Sequence, residues 1–290
     1  MGIVIYCNGE YVPESEAKVS IFDHGFLYGD GIFEGIRAYH GKVFKLKEHL
    51  VRLYESAQSI NLHIGISQAE MTEVVLETLR RNNLSNAYIR LVVSRGKGDL
   101  GLDPAKCPRA AVFCIADQIK IFDPVMYEQG LEVKTVAIRR NNPDSLNPRI
   151  KSLNYLNNIL AKLEANQAGV MEAIMLNQEG YVAEGTADNI FIFRNGVLKT
   201  PPLSAGVLEG ITRNAVLDIA RQLGINTSEE LFTRHDLYTS QECFLTGTAA
   251  ELIPVIKVDG RVLGEGVPGE VFKKLLKEFR ALTLVDGPEI

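Results

Sequence analysis

The chain is poor in the features that mark several large protein classes. Its 290 residues include four cysteines, Cys7, Cys107, Cys114 and Cys243, scattered and without Cys-x-x-Cys spacing. That argues against a structural zinc site and a disulfide framework, and it fits a reducing cytoplasm. No stretch approaches the roughly 18 consecutive apolar residues that a membrane-spanning helix needs. The start, Met1-Gly2-Ile3-Val4-Ile5-Tyr6, lacks the basic region and long apolar core of a signal peptide, and Tyr6 stands where a myristoylation signal wants Ser or Thr. Basic residues form only doublets, Arg139-Arg140 and Lys273-Lys274, and the formal net charge is -5, so there is no general electrostatic footprint for nucleic acid. Internal repeats and low-complexity tracts are also missing.

What is present is ordinary for a globular protein, with 46% hydrophobic and 23% charged residues. The length is large for one core and suggests two domains. Val43 to Leu46 reads as a strand. Lys47 to Ser59 and Gln68 to Asn82 carry apolar residues at three- and four-residue spacing and read as helices. Ala87 to Ser94 and Arg109 to Ala116 read as strands, with Tyr88, Arg90 and Ser94 on one face of the first. Lys120 to Gly130 is broken by Asp123-Pro124 and closed by Gln129-Gly130, and reads as an interdomain linker. Beyond it, strands are expected at 131–136, 172–176, 189–194, 197–199, 242–246 and 253–258, and helices at 153–168, 213–223 and 271–282. Asn195-Gly196 and Asp259-Gly260 read as two-residue hairpin turns. The mixture is α+β in both halves, without the regular alternation of a doubly wound sheet.

Two segments carry the strongest chemical signal. Asn147-Pro148-Arg149-Ile150-Lys151-Ser152-Leu153-Asn154-Tyr155 puts one lysine among apolar neighbours, and Glu184-Gly185-Thr186-Ala187-Asp188-Asn189-Ile190-Phe191 puts one glutamate before a small-residue turn and an apolar strand. An amine that must attack an aldehyde has to be partly deprotonated, and a carboxylate that keeps a pyridine nitrogen protonated needs an enclosed site. Together they point to pyridoxal 5'-phosphate. A phosphate needs backbone N–H donors and a positive partner. Leu208-Glu209-Gly210-Ile211-Thr212-Arg213 offers a tight turn into a helix, whose bland reading is a helix capped by Thr212. Thr246-Gly247-Thr248-Ala249-Ala250 offers a hydroxyl and amides after an apolar strand, and its bland reading is a strand-to-helix turn. Arg52 could reach a phosphate as a charged fork, or be a solvated helix arginine.

From about Asn8 to Val258 the chain resembles the class IV aminotransferases, which are fold-type IV enzymes dependent on pyridoxal 5'-phosphate. Within them it is most similar to the branched-chain amino acid aminotransferases. The motifs that carry the resemblance are Asp23-His24-Gly25-Phe26-Leu27-Tyr28-Gly29-Asp30-Gly31-Ile32-Phe33-Glu34-Gly35-Ile36-Arg37, Glu48-His49-Leu50-Val51-Arg52-Leu53, Tyr88-Ile89-Arg90, Arg149 to Tyr155, Glu184-Gly185 with Asn189-Ile190-Phe191, Glu209 to Arg213, and Thr246 to Ala249. The resemblance implies an α+β, two-domain fold: a small N-terminal α/β domain (1–119), the linker (120–130) and a larger C-terminal pseudo-barrel domain (131–290). It implies that Lys151 is the Schiff-base lysine and proton carrier, and that Glu184 pairs with the pyridine nitrogen. Tyr155 would hydrogen-bond the phenolic oxygen, and Leu208 would pack on the ring. Arg52, Ile211, Thr212 and Thr248 would hold the phosphate. Tyr88 and the amides of Ala249 and Ala250 would receive the substrate α-carboxylate. Tyr28, Phe33 and Gly35 would surround an apolar side-chain pocket, in which a residue larger than Gly35 would take up space. Arg90 would meet the distal carboxylate of glutamate, and with leucine bound it would turn away or be held by another acceptor, with Tyr28 the nearest candidate. Ile121 and Phe122 are candidates for the pocket roof. The implied substrates are leucine, isoleucine and valine with 2-oxoglutarate. The implied assembly is a homodimer or larger homo-oligomer, with Tyr28 and the Gly96–Gly101 loop reaching the neighbouring subunit's site.

Three other readings stay open. D-amino acid aminotransferases on this fold typically carry an Arg-x-His pair in a pocket loop, and Arg95-Gly96-Lys97-Gly98-Asp99-Leu100-Gly101 has no histidine. Aminodeoxychorismate lyases use the same lysine for elimination, but are not expected to need Tyr88 with Arg90. A cofactor carrier without activity would need neither Arg90 nor the Thr248-Ala249-Ala250 loop.

Overall fold

The computed structural model describes residues 2–118 and 123–290, so Ile121, Phe122 and the first residues of the expected linker lie outside the described residues. The chain forms two compact units: Met1–Ile119 with Ile150–Asn154 and Leu282–Ile290, and Lys120–Arg149 with Tyr155–Ala281. Residues 150–154 and 282–290, expected with the C-terminal domain, pack in the first unit. Backbone pairing explains both. Phe33 N donates to Lys151 O and Leu153 N to Gly31 O, each at 2.9 Å, and Val43 N donates to Pro288 O at 3.0 Å.

In the first unit the elements are β1 (Val4–Cys7), β2 (Glu10–Pro13), α1 (His24–Tyr28), β3 (Gly31–Tyr39), β4 (Lys42–Val43), α2 (Leu46–Ser59), α3 (Gln68–Arg81), β5 (Ala87–Ser94) and β6 (Ala111–Asp117). The strands form one sheet in the order β2-β1-β6-β5-β3-β4, antiparallel throughout. Leu46, Leu50 and Leu53 of α2 and Met71, Val75 and Leu79 of α3 close over Ile32, Ile36, Ile89, Leu91 and Val93 of the sheet. Burying each such side chain stabilises the fold by about 1.5–3 kcal/mol. The strand expected at 43–46 is only two residues long. Lys45 adopts a left-handed conformation (φ 51°), and Leu46 already begins α2. A Ser67–Glu70 capping box starts α3.

The second unit holds α4 (Pro124–Gln129), β7 (Leu131–Thr135), α5 (Leu156–Gln167), β8 (Glu172–Leu176), β9 (Val182–Glu184), β10 (Asn189–Arg194), β11 (Val197–Thr200), α6 (Ile211–Gln222), β12 (Asn226–Glu229), α7 (Arg234–Tyr238), β13 (Glu242–Gly247), β14 (Glu251–Val258), β15 (Arg261–Val262) and α8 (Glu270–Thr283). Its mixed sheet runs β12-β11-β10-β13-β14-β7-β8-β9, with β15 on the side of β14. One layer of its core joins Ile190, Ile192, Leu245, Ile253 and Val255. On the other face Phe191 and Phe244 stack with centroids 5.1 Å apart. Part of the expected linker is a helix: α4 starts on an Asp123 cap, and its Tyr127 hydroxyl donates to Ala250 O at 2.8 Å. Helix α5 starts three residues later than expected, at Leu156, because Ser152 and Leu153 pair with β3 instead.

Candidate active site

In the first unit the geometry is set by β3 and β5. Their antiparallel register places Gly35 opposite Arg90, Arg37 opposite Tyr88 and Phe33 opposite Val92. Directly opposed residues share a face, so Phe33, Gly35, Tyr88 and Arg90 project together. Arg90 Nη2 donates to the Tyr88 hydroxyl at 3.0 Å, and its guanidinium carbon lies 4.6 Å from the centroid of the Phe33 ring. Gly35 makes room for that hydroxyl: a Cβ there would come within 2.2 Å of Tyr88 Oη. The need for glycine is therefore more local than a pocket volume. The acceptor that Arg90 finds is Tyr88. Tyr28, on α1, instead donates its hydroxyl to Leu100 O at 2.5 Å.

Lys151 is half-buried. The pairing of 150–154 with β3 fixes its backbone, Lys151 N also donates to Ser56 Oγ of α2 at 3.3 Å, and Nζ lies 4.7 Å from the Phe33 ring centroid. Arg52 is held from the opposite face of β3. Its Nε and Nη2 donate to Glu34 Oε1 and Oε2 at 2.7 and 2.8 Å, and His49 Nδ1 sits 2.8 Å from the same Oε2. Burial disfavours a charged Glu34, yet Arg52 and His49 beside it hold its carboxyl well below the usual carboxylate range. Burial, with Arg52 and Lys151 nearby, lowers His49 despite the pull of Glu34. A neutral His49 facing a carboxylate that only accepts must carry its proton on Nδ1.

In the second unit the cluster is built around Glu184, the last residue of β9, which is 4% exposed. Its Oε1 accepts from Arg140 Nε at 2.6 Å, and its Oε2 accepts from Asn189 Nδ2 and Leu208 N at 3.0 Å each. Arg140 Nη1 donates to the Asn158 side-chain oxygen Oδ1 at 3.4 Å, and Asn158 Nδ2 donates to Thr186 O at 2.6 Å. Asn189 also donates to Leu208 O at 2.9 Å, and a Cβ on Gly210 would meet Asn189 Oδ1 at 1.9 Å. One asparagine thus ties Glu184, Leu208 and Gly210 together. Gly210 is the N-cap of the twelve-residue α6, with no side-chain cap, so Ile211 and Thr212 are its first two residues. Thr248, Ala249 and Ala250 form the loop of the β13–β14 hairpin, in which Gly247 pairs with Glu251. The strand-to-helix alternative is thereby excluded. A Cβ on Gly247 would come within 2.0 Å of Asp188 Oδ1, so this loop lies against the Glu184–Phe191 segment. Tyr155 is the N-cap residue of α5.

This chemistry fits pyridoxal 5'-phosphate. An ionised carboxylate offers about four lone-pair directions. Among the described residues three donors reach Glu184, so a carboxylate there would have one direction left for a pyridine N–H. The glycine-started, uncapped helix α6 suits a phosphate. Among the described residues no group of three or more His, Cys, Asp or Glu could hold a metal ion, and no helix is long and apolar enough to cross a membrane. Sequence reasoning missed Arg140, Asn189 and Asn158 in the second unit, and Glu34 and His49 in the first. Asn189, Glu34 and His49 stand within the motifs quoted above, and that was the available signal. Arg140 showed only as half of a basic doublet.

Residues 31–258 match the model of the family described as amino-transferase class IV. The chain belongs to the class IV aminotransferases. A Methanocaldococcus jannaschii protein, whose name as a branched-chain-amino-acid aminotransferase is provisional, is 57% identical over 276 residues, 95% of each chain. The crystal structure of the Escherichia coli branched-chain amino acid aminotransferase superposes with a TM-score of 0.95 at 35% identity, covering 99% of this chain and 97% of that one. Another branched-chain amino acid aminotransferase, from T.th. and complexed with N-(5'-phosphopyridoxyl)-L-glutamate, gives a TM-score of 0.91 at 37% identity, covering 98% of this chain and 95% of that one. These neighbours bear out the fold-type IV aminotransferase fold expected from the sequence.

Proposed function

We propose that this class IV aminotransferase is a branched-chain amino acid aminotransferase that uses pyridoxal 5'-phosphate to move the amino group of leucine, isoleucine or valine to 2-oxoglutarate. The observation that carries the substrate reading is the arrangement of Phe33, Gly35, Tyr88 and Arg90 on one face: an aromatic wall with the Arg90 guanidinium parked on the Tyr88 hydroxyl. Such a wall accepts an apolar side chain, and the parked cation meets a distal carboxylate when glutamate enters. The names of the relatives and the phosphopyridoxyl-glutamate bound to one of them support both halves of this reading.

When bound, the cofactor supplies an aldehyde for amine exchange and a protonated ring that withdraws electrons. The chain's own groups do the rest. Lys151 would hold the cofactor at its aldehyde carbon and would move the proton to and from the substrate α carbon. Glu184, oriented by Arg140, Asn189 and Leu208 N, holds the ring N–H. Tyr155 bonds the phenolic oxygen and Leu208 covers the ring. Arg52, Thr248 and the first amides of α6 at Ile211 and Thr212 hold the phosphate. Tyr88 and the Ala249 and Ala250 amides take the α-carboxylate, and Tyr28 completes the pocket rim.

Substituting Arg90→Met tests the division of labour. A charge-assisted bond to a distal carboxylate is worth about 1.5–3 kcal/mol, so the glutamate half-reaction should slow by about 10–100-fold while the leucine half-reaction changes little. Each half-reaction is followed by the cofactor's absorbance in rapid mixing. Equal slowing of the two would place Arg90 on the shared α-carboxylate and end this assignment.

The active unit is a homodimer or a larger homo-oligomer in the cytoplasm, where the four free cysteines stay reduced. Helix α5 supports the assembly. Leu156, Ile159, Leu160 and Leu163 line one stripe of it and are 67%, 53%, 42% and 48% exposed, an apolar face suited to burial against a second copy. Sedimentation paired with activity measured over a dilution series should show activity disappearing with the oligomer. A fully active monomer would contradict the proposal.

A further inference from the structure

We infer that Glu34 is the positioning residue that aims Arg52 at the phosphate monoester of the cofactor, with His49 bracing it. This deepens the reading above and rests on Arg52 being a phosphate ligand. Glu34 alternates along β3 with Phe33 and Gly35 but points to the other face, where it is fully buried. Nothing in a pocket role accounts for a carboxylate there, since its partners are Arg52 and His49 of α2. An arginine paired through Nε and Nη2 with both oxygens of one carboxylate has its plane fixed, with Nη1 turned away from that carboxylate. The long, rotamer-rich side chain is thereby ordered before any ligand arrives, which lowers the cost of binding an anion. His49, only 1% exposed, takes a second direction on Glu34 Oε2 and keeps the carboxylate from rotating out of the fork. The pairing also compensates a guanidinium on a residue that is only 8% exposed. The depressed carboxyl described above keeps Glu34 an acceptor-only anion across the working pH range.

The test separates phosphate from ring. Dissociation constants of pyridoxal 5'-phosphate and of pyridoxal, which lacks the phosphate, are measured by absorbance and fluorescence titration of the apo-protein. Wild type, Glu34→Gln, Arg52→Met and the double variant are compared. Glu34→Gln should weaken the phosphorylated compound by about tenfold or more and leave pyridoxal within about twofold. The double variant should bind pyridoxal 5'-phosphate no more weakly than Arg52→Met alone, because the glutamate acts through the arginine. Equal weakening of both compounds, or losses that multiply in the double variant, would overturn the inference. If Glu34→Gln does not fold by circular dichroism, Glu34→Asp keeps the charge and retracts it by one methylene, and it must show the same selectivity for the phosphate. A wild-type protein that binds pyridoxal 5'-phosphate no better than pyridoxal would instead defeat the phosphate role of Arg52 and the proposed function with it.

Discussion

Replacing Lys151 with alanine is expected to lower transamination by about 10,000-fold, the upper end of the range for removal of a positioned acid–base group. The loss should be chemical and not structural. The 150–154 segment is anchored by backbone bonds to β3 and to Ser56, none of which involves the lysine side chain. The Nζ lies over the Phe33 ring at the end of a half-buried side chain, so its removal leaves those anchors in place. The variant should melt near the wild-type temperature, bind pyridoxal 5'-phosphate reversibly, and release it on gel filtration. Turnover within about tenfold of wild type would mean that another group moves the proton.

The second large effect is at Glu184. Glu184→Gln should retain the cofactor and lose about 100-fold or more in kcat, comparable to removing a group aimed at charge that develops in the reaction. A neutral amide cannot hold the ring nitrogen protonated. The geometry adds a second cost. Three donors converge on the two oxygens of Glu184, from Arg140, Asn189 and the Leu208 amide. A glutamine can accept on one side only, so its NH2 must face at least one buried donor, at about 1–3 kcal/mol. The same variant should therefore melt earlier than wild type. Cofactor content is read from absorbance, kcat from steady-state turnover, and stability from thermal unfolding. Wild-type kcat in a cofactor-loaded Glu184→Gln protein would make the glutamate structural.

How far the fold could be read from the residues depended on whether the signal was local. Asn195-Gly196 and Asp259-Gly260 are hairpin turns in the structure, and all four residues have positive φ, the conformation those dipeptides favour. The helices at 47–59, 68–82 and 213–223 were placed to within two residues because one face of each is apolar. Strand β3 gave no such signal: nearly all of Gly31–Tyr39 is buried, so the polar alternation of a half-exposed strand is missing. Helix α4 was hidden by Asp123-Pro124, which reads equally as a break and as a cap followed by a proline at the first helical turn. At the site, Lys151 and Glu184 stood out by residue type and motif. Their supports did not, because Arg140 meets Glu184 across 44 positions and Glu34 meets Arg52 across 18. Pairings of that range come from sheet register and helix packing, which a pass along the chain does not resolve. Gly35 was singled out for pocket space, and its tightest constraint is the Tyr88 hydroxyl on the neighbouring strand β5.

One covalent attachment point lies at the centre of the proposed chemistry, the lysine of a segment that pairs with β3. The direct measurement is borohydride reduction of the protein loaded with pyridoxal 5'-phosphate, followed by proteolysis and mass spectrometry of every lysine-containing peptide. The expected result is a phosphopyridoxyl group on Lys151 alone, at close to one per chain. A phosphopyridoxyl group on any other lysine, with Lys151 unmodified, would contradict it.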